Sequence, residues 1–80
     1  MSVLPPFAAG SISLRLYPHN DLPAERIVTA MREQAVLAAK VGFDGVMISE
    51  HHGGFGGYLP NPVQMAGWLL EVMPQGWAAI

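Results

Sequence analysis

Gly42-Phe43-Asp44-Gly45-Val46-Met47-Ile48-Ser49 leads from a helix-ending glycine into three consecutive apolar residues. A short unbroken apolar run of this kind reads as a strand buried on both faces, as in parallel sheets. Upstream, Ile27, Ala30, Met31, Ala35, Ala38 and Val41 recur at helical spacing. Asp21 stands as the cap of that helix, Pro23 suits its first turn, and Gly42 ends it. Glu25, Arg26, Arg32, Glu33 and Lys40 fall in the same stretch and read as its solvated face. Further upstream, Ile12, Leu14 and Leu16 alternate with Ser11, Ser13 and Arg15, which predicts a strand running to Tyr17 and ended by Pro18. His19-Asn20-Asp21 is then a polar turn. Residues 1–10, with Pro5, Pro6 and Gly10 as breakers, are a loose lead-in.

Downstream lies a glycine-rich loop from Ser49 to Pro60. Asn61 caps a second helix and Pro62 takes its first position. Val63, Ala66, Gly67, Leu70 and Met73 share one face of it. Pro74-Gln75-Gly76 closes the helix, and Trp77-Ala78-Ala79-Ile80 opens a third strand. Strand, helix, strand makes a right-handed crossover in an α/β fold. The second helix carries one charge, Glu71. A helix apolar nearly all round belongs inside a larger assembly, and two helices cannot cover both faces of a parallel sheet. The expectation is therefore a piece of a larger fold, with a small self-associating protein as the alternative.

Composition narrows the class. The chain has 80 residues, net charge −2, and 12% charged residues, against about 25% in ordinary soluble domains. The mean hydropathy of +0.31 excludes a disordered tail. Four Lys/Arg against six Asp/Glu exclude a basic nucleic-acid footprint. No Cys is present, which excludes disulfides and thiolate metal sites. Met1 to Ser13 lacks a basic start, and Pro5-Pro6 breaks any export helix. The uncharged run between Glu50 and Glu71 is too rich in Gly, Pro and His to span a bilayer. A cytoplasmic protein without membrane or nucleic-acid partners is expected.

In a parallel sheet both strand-to-helix loops leave from the carboxyl end, where such sheets place their sites. His19, Glu50, His51, His52 and Tyr58 fall in those loops. His51 and His52 are neighbours, which on extended backbone point to opposite sides, so no metal site is expected. One of these histidines suits acid–base work, because imidazole titrates near neutrality. On spacing alone, a histidine bonded to a loop carbonyl is the simpler explanation of the pattern. Gly53-Gly54-Phe55-Gly56-Gly57 lacks both the P-loop and the dinucleotide spacing. It suits either a backbone-lined groove for a flat ligand or a plain surface loop.

Taken together, Gly42-Phe43-Asp44, the apolar strand, Glu50-His51-His52, the glycine-rich loop through Tyr58 and then Asn61-Pro62 resemble the N-terminal part of the luciferase-like monooxygenases. The likeness runs from about Ser11 to Met73. It implies a partial TIM (β/α)8 barrel, of which these residues supply the first two βα units. It also implies a reaction in which reduced flavin (FMN) or coenzyme F420 oxygenates or oxidises a small organic substrate, with O2 as co-substrate in the flavin branch. By the same resemblance His51 is catalytic and Glu50, His51 and His52 lie at the cofactor; Tyr58, from its place in the loop at the carboxyl end, is expected to contact substrate. A homo- or hetero-oligomer is implied for the whole enzyme. The eighty residues by themselves are expected to be inactive. The alternative is a truncated remnant or a small interaction module.

Overall fold

The computed structural model describes residues 3–17, 22–49 and 62–80, with the backbone alone at residue 62. The element order is β1 (Ser13–Arg15), α1 (Ala24–Lys40), β2 (Gly45–Met47), α2 (Pro62–Glu71) and β3 (Trp77–Ala79). The strands form one parallel sheet in the order β1-β2-β3. Ser13, Gly45 and Trp77 stand in one row, Leu14, Val46 and Ala78 in the next, and Arg15, Met47 and Ala79 in the third. Pairing extends past the labelled strands, with Leu16 N donating to Met47 O at 2.9 Å and Ile48 N to Ala79 O at 2.9 Å.

Side chains alternate across a strand, so one face presents Leu14, Leu16, Val46, Ile48 and Ala78. Both helices pack on this face. Ile27, Met31, Ala35 and Ala38 of α1 and Met65 and Leu69 of α2 join Leu16, Val46, Ile48 and Met73 in a single core cluster. Leu22 and Ile27 occupy the N′ and N4 positions of a hydrophobic staple at the start of α1. At its end, Phe43 N donates to Ala38 O and Gly42 N to Ala39 O, the paired bonds of a Schellman cap. Gly42 sits at φ 105°, a conformation that side chains rarely adopt. Arg32 joins the helices, with Nη2 3.1 Å from Glu71 Oε1 and Nη1 donating to the Trp68 carbonyl at 3.3 Å. Solvent reaches both partners, so the ion pair contributes about 0–1 kcal/mol.

Five expectations from the sequence are corrected. Val46 and Ile48 are buried under the helices, but Met47 is only half-buried. Among the described residues no helix covers the face it shares with Trp77, which opens into a groove of about 480 Å³ lined by Phe7, Ser13, Met47, Trp77 and Ala79. Ile12 is 58% exposed, because it precedes β1 at the sheet edge. Val41 is exposed as the C-cap residue, where the backbone has left the helical path. In α2 the buried residues are Met65 and Leu69, continued by Met73 just past its end, while Val63 is 70% exposed and Gly67 and Leu70 face solvent. A helix apolar on nearly every side gives its periodicity no phase; packing against the sheet and α1 sets it. The N-cap of α1 is Pro23, not the expected Asp21, and it makes no side-chain cap bond, since proline has no side-chain acceptor. Asp21 itself and Asn61, the cap expected for α2, lie outside the described residues.

The amino end of the sheet is held by Asp44. Its Oδ2 accepts from Ile12 N at 2.8 Å and its Oδ1 from Leu4 N at 3.0 Å. Its own amide donates to Ile12 O at 2.8 Å, and its carbonyl accepts from Trp77 N at 3.3 Å. One residue thereby links the lead-in, β1 and β3. Trp77 Nε1 adds a bond to Leu4 O at 3.0 Å. The amides of Leu4 and Ile12 favour the ionised carboxylate and hold its pKa below the ordinary aspartate value, against a smaller opposing effect of desolvation. A group with a lowered folded pKa stabilises fully above its unfolded pKa, about 4, and loses that contribution as pH falls through the folded value. Asp44→Asn is therefore expected to melt below the wild type at pH 7, with the gap closing toward pH 3. Melting curves at both pH values check this, and a gap that stays constant would remove ionised Asp44 as its source.

Candidate functional site at the carboxyl end of the sheet

β1 and β2 are adjacent and parallel, so Tyr17 and Ser49 leave the sheet side by side at its carboxyl end. They precede the two strand-to-helix connections, residues 18–21 and 50–61. The expected site residues His19, Glu50, His51, His52 and Tyr58 lie outside the described residues, as does the Gly53–Gly57 loop.

What is described at this end is a small polar group on the face opposite the helices. Arg15 ends β1 in the row of Met47 and Ala79. Its Nη2 donates to Ser49 Oγ at 3.2 Å. Its guanidinium carbon lies 5.3 Å from the centroid of the Tyr17 ring, within cation–π range. Alternation along β1 puts residues 15 and 17 on one face, and the parallel register brings Ser49 beside them. Two adjacent strands therefore present a cation, a hydroxyl and an aromatic ring together. These groups can hold an anion or the rim of a polar ring.

Reading the sequence missed this group, since Arg15 registered only as the polar member of an alternating strand. The available signal was its position. It is the one charged residue in a strand pattern, two residues from an aromatic at the strand's carboxyl end. Trp77 is half-buried on the groove face, over Gly45. Among the described residues, no group of three His, Asp or Glu side chains is placed to hold a metal ion. Among them also, no helix is long and apolar enough to cross a membrane.

No protein-family model, curated protein or solved structure matches the chain.

Proposed function

We propose that the chain forms the opening part of a luciferase-like oxidoreductase, a (β/α)8 barrel using reduced FMN or F420 to oxygenate or oxidise a small organic substrate. The observation that carries this reading is the winding of the sheet. Three parallel strands run in sequential order with both helices on one face, the unit that a βα barrel repeats around its axis. Glu50-His51-His52 follows two residues after Ile48, in the connection that leaves the carboxyl end of β2. Exposed apolar side chains add support. Leu37 and Val41 flank a groove beside Leu14 and Leu16 of the edge strand, and Val63 and Leu70 are exposed on α2. Neighbouring barrel helices would cover such positions.

The donors and aromatic face of Arg15, Tyr17 and Ser49 fit a flat ring edged with carbonyl oxygens and ring nitrogens. The cofactor supplies the electrons or hydride when bound, and the protein supplies orientation and exclusion of water. On this reading Glu50, His51 and His52 line the cofactor, His51 holds or delivers a proton, and Tyr58 contacts the substrate. The enzyme works in the cytoplasm as a homo- or hetero-oligomer.

His51→Ala in the catalytically competent enzyme is expected to lower kcat by about 10²–10⁴, the usual worth of a positioned acid or base. Its melting temperature should stay near that of the wild type. Steady-state kinetics with a parallel thermal melt make the check. Unchanged turnover would remove His51 from the chemistry.

A further inference from the structure

The chain has four Lys or Arg residues. Arg26, Arg32 and Lys40 lie on α1, and Arg15 alone lies in the sheet. Three features set Arg15 apart. Its guanidinium carbon lies 5.3 Å from the centroid of the Tyr17 ring, and Ser49 Oγ accepts from Nη2. Among the described residues no carboxylate pairs with it, whereas Arg32 is bound by Glu71. Arg15 also ends its strand at the carboxyl end of a parallel sheet, where open α/β sheets bind their ligands.

A guanidinium carries five N–H donors in a planar fork. Ser49 engages one, and that bond together with the cation–π contact to Tyr17 restrains the fork. Fixing the fork beforehand reduces the side-chain entropy lost when a ligand binds. The remaining donors match two oxygens of a carboxylate or phosphate through parallel bonds. An exposed arginine without this support would swing freely and offer only a point of charge.

We propose that Arg15, held by Tyr17 and Ser49, is an oxyanion-binding group at the carboxyl end of the sheet, taking a small molecule that bears a carboxylate or phosphate. The proposal rests on strand register and side-chain geometry and does not depend on the oxidoreductase reading. A protein that binds no flavin can still satisfy it.

The test is a ¹H–¹⁵N NMR titration of the intact chain at constant ionic strength, following the Arg15 side chain and the Ser49 amide. Inorganic phosphate and acetate are added in separate arms. The expected result is a saturable shift at both positions with a midpoint on the order of millimolar. Saturation by phosphate alone assigns a phosphorylated ligand, and saturation by acetate assigns a carboxylate. Arg15→Lys should weaken binding about tenfold, since it keeps the charge and loses the fork. Arg15→Gln should abolish the Ser49 response, and Arg26→Gln should leave it intact. A drift that never saturates in either arm would overturn the proposal, as would a Ser49 response unchanged in folded Arg15→Gln. Should that variant not fold, the wild-type curves and Arg15→Lys still decide.

Discussion

Gly45→Ala is expected to destabilise the protein by about 3 kcal/mol, and Gly45→Val to leave no folded population. Gly45 is buried in the central strand, paired with Ser13 on one side and Trp77 on the other. The Trp77 indole lies across it, so a Cβ at Gly45 would overlap Cδ2, Cε2 and Cε3, the last at 2.6 Å. Two effects compete. Alanine is favoured over glycine within a strand by roughly 0.5–1 kcal/mol. Overpacking a filled site costs about 1–3 kcal/mol or more. The indole cannot easily yield, because its Nε1 is bonded to Leu4 O and its backbone to Asp44 O, so the clash outweighs the propensity gain. Urea unfolding of Gly45→Ala, Trp77→Ala and the double variant isolates the contact. The double variant should be more stable than the sum of the two single losses predicts. A Gly45→Ala protein as stable as the wild type would show that the indole is not held over the glycine.

Leu69→Ala should remove about 2–5 kcal/mol, the range for emptying a packed leucine site. Leu69 is fully buried on the inner face of α2, one turn after Met65 and four residues before Met73, which follows the helix end. Domains of this size hold on the order of 4–12 kcal/mol in total, so the change takes a large share of the stability. Val63→Ala on the same helix should change stability by less than about 0.5 kcal/mol, because Val63 faces solvent. The pair measures the rotational setting of α2. Equal losses, or a larger loss at Val63, would mean that α2 packs through its other side.

The contrast between α1 and α2 shows what could be read from residues alone. In α1, charges at Glu25, Arg26, Glu33 and Lys40 mark the outer face, and the inner stripe Ile27, Met31, Ala35, Ala38 follows from them. In α2 there is only Glu71 to orient the helix, and the apolar residues fit more than one stripe. Tertiary contact with Val46, Ile48 and Met31 chooses among them. The βαβαβ order was legible because glycine and proline punctuate it at Pro18, Gly42 and Pro74. The amino-end junction was not, since the reach of Asp44 to Leu4 spans forty residues and follows from no local pattern. Arg15 was hidden for a similar reason, as its partner Ser49 lies thirty-four residues away on the next strand. The histidines of the expected site were read from motif alone, and they lie outside the described residues.

On the function proposed above, this chain opens a flavin- or F420-dependent barrel. The most direct measurement is a fluorescence titration of the folded protein, purified from its native cells and with its intact mass recorded, against FMN and F420 in oxidised and reduced forms. Saturable binding of one of the two cofactors is expected, weakened by substitution at Glu50, His51 or His52. A folded protein that binds neither cofactor in either redox state would contradict the proposed function.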